Sequence, residues 1–91
     1  MDFTIETNRI YHIDKSGKLL AEVLFPQESE HTVAITRTFV DESLRGQGVA
    51  DKLLMALTEA LKADGRKAKP NCAYALKWFE KHPEMGELLA D

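Results

Sequence analysis

Residues 41–50 read DESLRGQGVA and join the strongest strand pattern of the chain to its strongest helix pattern. Gly46 and Gly48 let the backbone turn sharply and bring its amide groups close to a ligand, because neither residue carries a Cβ atom. A helix begins at once, so its unpaired N–H groups and the positive end of its dipole converge on one spot. Arg45 adds a positive charge. These features predict a phosphate or pyrophosphate site, although the glycines alone favour a plain flexible connection.

The flanking patterns indicate which elements this loop connects. Residues 31–40 are dense in β-branched side chains, which predicts a central strand. From Val49 onward apolar residues recur every four positions, which predicts an amphipathic helix of about four turns that ends near Gly65. No Gly-Lys-Ser/Thr run is present in the loop, and the preceding strands form an antiparallel pattern. A P-loop and a dinucleotide-binding fold are therefore not indicated.

The rest of the chain carries shorter element signals. Two strands are predicted on either side of a turn at Gly17, and Pro26 is expected to end the second of them. Asn71 is predicted to cap a second helix, which must end near Pro83. The predicted segments are strands 8–13, 19–25, 31–40 and 66–69, a polar turn 27–30, helix Ala73–Lys81 and a loose turn 84–90. The order β-β-β-α-β-α predicts an α+β fold, a small and mostly antiparallel sheet with helices packed on it.

Length and composition exclude several classes of protein. The 91 residues predict a single domain over residues 1–91. A net charge of −3 argues against a nucleic-acid binder with a broad basic face and against a membrane-surface protein. One cysteine and three scattered histidines offer neither a disulfide framework nor a metal-ligand cluster. The amino end lacks a secretory signal and no apolar run could span a membrane, so a cytoplasmic protein is expected.

Two runs of the sequence resemble a known superfamily. Residues 45–50, RGQGVA, fit the R/Q-x-x-G-x-G/A signature of the GCN5-related N-acetyltransferase superfamily, and they lie where it belongs, between a central strand and a long helix. The run KPNCAY at 69–74 and the run KHP at 81–83 resemble the carboxyl end of its very short bacterial and plant members, which are related to a vertebrate N-acetyltransferase-domain protein. The resemblance extends from Arg9 to Pro83. It implies a minimal acyl-CoA N-acyltransferase fold that binds acetyl-CoA.

The resemblance also implies which residues hold acetyl-CoA. In the superfamily the loop amides hold the pyrophosphate, and the pantetheine arm lies in a wedge where the central strand and the next strand splay apart. The wedge would open here between the strand that ends at Val40 and residues 66–69. The residues implied for coenzyme A binding are Phe39, Val40, Arg45, Gly46, Gln47, Gly48, Val49 and Ala50.

This chain departs from the superfamily pattern in two places that bear on catalysis. Longer members place two helices between their first two strands, and these help to form the acceptor site, whereas this chain has only residues 14–18 there. The short relatives often carry His-Thr on the central strand, where this chain has Arg37 and Thr38. Arg37 could reach an anionic ligand, but the preferred interpretation is that its side chain extends past a sheet edge to solvent or pairs with Glu22. Glu22 itself is expected at a solvated strand position.

Two side chains are candidates for catalysis. Cys72 falls in the first turn of the second helix if Asn71 caps it, and there the helix dipole favours a thiolate that could accept an acetyl group. Most free cysteines are instead small buried residues, and that alternative stays open. The resemblance implies that Tyr74 could protonate the leaving CoA thiolate, a role that a tyrosine often has in the superfamily, although a packing role is favoured for an isolated tyrosine. Trp78 and Phe79 are expected in the core.

Two functions of different classes follow from these observations. The first is an acetyltransferase that moves acetyl from acetyl-CoA to an amine, carried by a protein or a small molecule, with positioning and oxyanion stabilisation as its main catalytic means. The second is a CoA-binding module, a sensor or a partner subunit, without efficient transfer. The intact loop, Cys72 and Tyr74 favour the first function. The missing acceptor helices and Arg37 favour the second. A plain interaction domain is the remaining alternative if the loop binds nothing.

Overall fold

A computed structural model describes residues 1–90 as seven short strands, two α-helices and two 3₁₀ helices. The strands are β1 (Thr4–Ile5), β2 (Arg9–Ile13), β3 (Leu19–Leu24), β4 (Gln27–Ser29), β5 (Thr32–Ile35), β6 (Arg37–Val40) and β7 (Lys67–Pro70). The helices are the 3₁₀ helix Glu42–Leu44, α1 (Val49–Asp64), α2 (Ala73–Lys81) and the 3₁₀ helix Pro83–Leu88. The α+β prediction is confirmed, and β1 and β4 are strands that the sequence patterns missed.

The strands form two sheets. Four of them are antiparallel in the order β1-β2-β3-β6, and three make a second sheet in the order β4-β5-β7. Within the second sheet β5 runs parallel to β7, from the pair Thr32 and Lys67 to the pair Ile35 and Pro70. Such a parallel pair needs a long crossover connection, and α1 with the glycine loop supplies it.

The prediction of one continuous strand over residues 31–40 is wrong. The strand breaks at Thr36, whose N–H donates to the carbonyl of Leu24. The first half, β5, pairs with β4 and β7, while the second half, β6, pairs with β3. The turn predicted at 27–30 is also wrong, because Gln27–Ser29 is strand β4. Pro26 lacks an N–H group and so ends β3, which leaves the chain free to begin a strand in the other sheet.

Helix α1 packs against β2, β3 and β6 of the four-stranded sheet and supplies much of the core. Its predicted apolar stripe is confirmed, because Val49, Leu53, Leu57 and Leu61 are all buried. The expected end at Gly65 is confirmed as well. That residue has φ of 67°, and its N–H bonds to the carbonyls of the last helical turn. The buried side chains of α2 are Ala75, Trp78 and Phe79, so the core placement of the two aromatic residues is confirmed.

The outer face of the four-stranded sheet carries a charged triad. Glu22 lies on β3 with only 7% of its surface exposed, so the prediction of a solvated position is wrong. Its two carboxylate oxygens accept bonds from the Nε atoms of Arg9 at 2.7 Å and Arg37 at 3.2 Å. The predicted pairing of Arg37 with Glu22 is confirmed. Each guanidinium also lies over an aromatic ring, Arg9 over Tyr11 and Arg37 over Phe39.

Removing both cations of this triad should destabilise the fold. We expect the free energy of unfolding to fall by about 3 kcal/mol in Arg9→Met/Arg37→Met, because a buried carboxylate is left without a positive partner. Adding Glu22→Leu to the double variant should restore most of the loss, since no charge then stays buried. Urea unfolding followed by circular dichroism measures both values. A double variant as stable as the wild type would show that Glu22 is adequately solvated.

Candidate active site

The loop that precedes α1 is held from its upstream end. Asp41 caps the 3₁₀ helix Glu42–Leu44, and its carboxylate accepts bonds from the Ser43 hydroxyl at 2.7 Å and the Ser43 N–H at 3.1 Å. These bonds, together with the nearby Lys18 ammonium, lower the pKa of Asp41 below its usual value. The carboxylate therefore stays ionised and keeps the entrance of the loop in one conformation.

Two glycines give the loop its shape. Gly46 and Gly48 have φ of 82° and 73°, in the left-handed region that side-chain-bearing residues rarely adopt. Gly48 is the N-cap of α1 and offers no side chain to the first helical turn. The hydrogen bonds of α1 begin at Lys52, whose N–H group donates to the Gly48 carbonyl. The preceding N–H groups are therefore available to a ligand, at the positive end of a 16-residue helix.

A cavity of about 250 Å³ opens at this helix end. Apart from the adjoining backbone, no heavy atom lies within 4 Å of the position that a Cβ atom would take on either glycine, so the space beside the loop is open. Six of the eight residues implied for coenzyme A binding line the cavity. The lining residues are Val40, Leu44, Arg45, Gly46, Gly48, Val49, Ala50, Asp51 and Tyr74.

The other two residues implied for the ligand lie elsewhere. Phe39 alternates with Val40 along β6, so its ring lies on the outer sheet face beneath the guanidinium of Arg37. Gln47 is exposed, and its side-chain amide donates to the carbonyl of Ser43 at 3.4 Å, which places it within the loop's own bonding. Strand alternation was the signal that separates Phe39 from Val40, and it was readable in the sequence.

The strands part beside this cavity. Strand β5 stays paired with β7 as far as Ile35 and Pro70, whereas β6 pairs with β3 alone among the described strands. The outer backbone edge of β6 therefore faces a gap rather than another strand, and such an edge offers N–H and C=O groups to an extended ligand. This edge faces the chain that follows β7, whereas the resemblance implies a pantetheine wedge between Val40 and residues 66–69, of which 67–69 pair with β5.

Cys72 borders the gap from the side of α2. The predicted cap at Asn71 is wrong, because Cys72 itself is the N-cap and its Sγ atom accepts from the Ala75 N–H at 3.4 Å. The same sulfur lies 3.5 Å from the hydroxyl of Thr38 on β6. Cys72 is half-buried and does not line the cavity at the loop. The structure thus brings the sulfur to the strand.

Tyr74 reaches the cavity itself. It lies in the first turn of α2, is 40% exposed, and lines the cavity together with the loop residues. Partial burial raises the pKa of Tyr74, and the negative charge of Asp51 raises it further. The hydroxyl is therefore protonated at neutral pH and can donate a proton.

Comparison with known proteins assigns the family. The model of the GCN5-related N-acetyl-transferase family matches residues 9–88. The chain belongs to the GCN5-related N-acetyltransferase family. Acetyl-CoA is the acyl donor of this family. A search of the curated proteins finds no significant relative.

Solved structures of other N-acetyltransferases share the fold. A GCN5-like protein of Staphylococcus aureus, described as an N-acetyltransferase, superposes with a TM-score of 0.81 at 27% identity, over 98% of this chain and 87% of that one. An Escherichia coli N-acetyltransferase of the family, solved with CoA, gives 0.55 at 27% identity over 64% of this chain and 35% of its own. The E. coli ribosomal-protein-S18-alanine N-acetyltransferase gives 0.62 at 20% identity over 86% and 53%. This chain thus spans about a third and a half of the two E. coli enzymes.

One polar cluster at the N-acetyltransferase cavity was missed by sequence reasoning. The Trp78 indole Nε1 donates to Asp51 Oδ1 at 2.7 Å, and the His82 ring stacks on Trp78 with centroids 4.0 Å apart. His82 Nε2 lies 3.6 Å from the same carboxylate oxygen. The cluster joins the first turn of α1 to the end of α2. The available signal was the position of Asp51, directly after the glycine motif.

Residues 1–90 lack two features that are found in other classes of protein. No group of three or more histidine, cysteine, aspartate or glutamate side chains in this part of the chain could hold a metal ion. Over the same residues no helix has both the length and the apolar character needed to cross a membrane.

Proposed function

We propose that this chain binds acetyl-CoA in the cavity at the α1 N-terminus and transfers its acetyl group to an amine. The observation that carries the proposal is the loop around Gly48, which leaves unpaired N–H groups at the end of a long helix beside an open cavity. Those amides and Arg45 suit a pyrophosphate. The apolar wall at Val40 and Leu44 suits the neighbouring methylene groups of a pantetheine arm.

The edge of β6 leads from this cavity towards Cys72. Val40 lines the cavity, and Thr38, two residues earlier on the same face of the strand, contacts the sulfur of Cys72. Two residues of extended chain span about 7 Å. An extended thiol arm bonded to the strand edge would therefore bring its acyl end towards Cys72. This placement supports Cys72 as a nucleophile and equally supports Cys72 as a wall of the pantetheine slot.

Two reaction routes are open to these residues, a covalent route of two steps and a direct transfer. In the covalent route the Cys72 thiolate attacks the acetyl carbonyl and the carbon–sulfur bond to CoA breaks. The Tyr74 hydroxyl then gives its proton to the departing CoA thiolate. An amine next attacks the acetyl-cysteine, which forms an amide, restores the thiolate and returns a proton to Tyr74. In direct transfer the amine attacks the thioester itself, and Tyr74 has the same role.

A CoA-binding module without efficient transfer is the second candidate. The observation that favours it is the connection between β2 and β3, which is a tight turn at residues 14–18 held by the Asp14 carboxylate. Residues 14–18, between β2 and β3, contain no helix, so the acceptor pocket that longer relatives build there has no counterpart. For both candidates we propose a cytoplasmic location, because a reducing compartment keeps the free Cys72 thiol available.

Calorimetric titration with acetyl-CoA and with CoA tests whether either candidate stands. We expect saturable binding of both ligands, together with a rise in the thermal midpoint of the protein. Adenosine is the matched control, since it lacks the pyrophosphate and should bind far more weakly. No heat and no thermal shift at millimolar CoA would remove both candidates. Binding without acetyl transfer across a panel of amines and amine-bearing peptides would leave the binding module.

A further inference from the structure

Asp51 places a negative charge where the proposed ligand is most anionic. It occupies the first turn of α1, and its side chain lines the same cavity as the loop glycines. A carboxylate there interacts favourably with the helix dipole but repels a pyrophosphate. Charge repulsion by itself would therefore make Asp51 unfavourable for CoA binding.

The carboxylate of Asp51 makes the closest side-chain link between α1 and α2. It accepts the indole N–H of Trp78 at 2.7 Å, and Trp78 is only 3% exposed. A buried indole N–H without an acceptor is costly, so this bond fixes where the Trp78 ring lies. His82 extends the link. Its Nδ1 atom lies 2.7 Å from the Trp78 carbonyl, and its Nε2 atom faces Asp51.

The position of Trp78 determines the position of Tyr74. The two residues are four apart on α2 and therefore lie on the same side of the helix, one turn from each other. Tyr74 is the only cavity-lining residue contributed by α2. Holding Trp78 against α1 thus holds the Tyr74 ring against the opening of the loop, and it holds the Cys72 end of the helix beside β6.

We propose that Asp51 is a positioning residue for the CoA site, which acts by docking α2 on the first turn of α1 through Trp78. The inference rests on the proposed function for its ligand. In this role the Asp51 carboxylate stabilises the cavity wall, and the gain in CoA affinity outweighs the loss from its repulsion of the pyrophosphate. The Lys81-His82-Pro83 run contributes to the same helix docking, because the His82 ring stacks on the Trp78 ring that Asp51 holds.

Two substitutions at Asp51 separate docking from charge. Asp51→Asn removes the negative charge but keeps an oxygen that accepts the indole N–H, so CoA affinity should equal or exceed that of the wild type. Asp51→Ala removes both, and CoA affinity should fall about tenfold because the cavity wall loosens. If Asp51 only repels the ligand, both variants will bind CoA more tightly, and that result would overturn the proposal. Equal weakening in both variants would overturn it too.

Trp78→Phe tests the same link from the other helix. It keeps the ring and removes the donor, so CoA affinity should again fall about tenfold, and Asp51→Ala/Trp78→Phe should be no weaker than either single variant. Additive losses would show that the two residues act independently. Thermal unfolding of each variant establishes that the compared proteins are folded, and Trp78→Phe serves where Asp51→Ala does not fold.

A measurement without CoA separates failure of this inference from failure of the proposed function. Trp78 is the only tryptophan of the chain, so its indole N–H gives one NMR signal in the free protein. Hydrogen exchange at this signal should be slow in the wild type and in Asp51→Asn, and at least about tenfold faster in Asp51→Ala. Unchanged exchange in Asp51→Ala would refute the docking role, whether or not CoA binds. A wild type that shows the slow signal and binds no CoA would refute the proposed function instead.

Discussion

Replacing Gly48 by valine is expected to lower CoA affinity at least about a hundredfold. Gly48 has φ of 73°, a conformation that a β-branched residue adopts only at a cost of about 1–3 kcal/mol. The new side chain would also project into the open space beside the loop, where we propose that the pyrophosphate binds. Both effects act on the same amides, because Gly48 is the N-cap of α1. Calorimetry on the folded variant measures the loss.

Gly17→Val is the matched control for this substitution. Gly17 also has a positive φ, 90°, and open space at its Cβ position, but it lies in the turn between β2 and β3. The control should therefore carry similar backbone strain and lose similar stability, while its affinity for CoA stays within about twofold of the wild type. Unchanged affinity in a folded Gly48→Val protein would place the ligand elsewhere.

The second large effect is expected at Cys72. If Cys72 is the nucleophile, incubation with acetyl-CoA in the absence of an amine should leave one acetyl group on the protein, on the sulfur that lies 3.5 Å from the Thr38 hydroxyl of β6. Intact-mass spectrometry detects the adduct. The adduct should disappear on treatment with hydroxylamine, which cleaves thioesters, and it should be absent from Cys72→Ala, which removes the only thiol of the chain.

A rate criterion distinguishes a catalytic nucleophile from accidental exchange. A thiol beside a thioester can become acetylated by proximity alone, so the adduct must form at least as fast as the amide product appears. On the covalent route Cys72→Ala should lower acetyl transfer about a hundredfold or more while CoA affinity changes little. An unmodified wild type, or a Cys72→Ala protein that transfers normally, would reduce Cys72 to a wall of the pantetheine slot.

The glycine loop and the helix after it were predictable because their causes are local. Gly46 and Gly48 adopt backbone conformations that few other residues tolerate, and the period of α1 follows from its apolar residues alone. Tyr74 was a candidate because the resemblance implies a tyrosine that protonates the leaving CoA thiolate. Its place on the cavity wall depends on how α2 docks, which no local pattern states.

The remaining features depend on contacts between distant segments. The break at Thr36 follows from a bond to Leu24, so a run of β-branched residues predicted strand without showing that it serves two sheets. Glu22 is buried because Arg9 and Arg37 arrive from the two neighbouring strands. The cap lies at Cys72 rather than at Asn71 because the Cys72 sulfur accepts a bond from the Ala75 N–H, which the sequence pattern does not show.

The parallel pairing of β5 with β7 also bears on how the chain folds. Thr32 pairs with Lys67, so the two partners are 67 − 32 = 35 positions apart, and the glycine loop with all of α1 lies inside the closed segment. Closing a segment of that length costs conformational entropy before any contact repays it, so this step is expected late in folding. The gap beside β6 exists only once β7 has docked. The proposed binding site therefore forms only when folding is complete, and a fragment that ends before β7 should keep the glycine motif and fail to bind CoA.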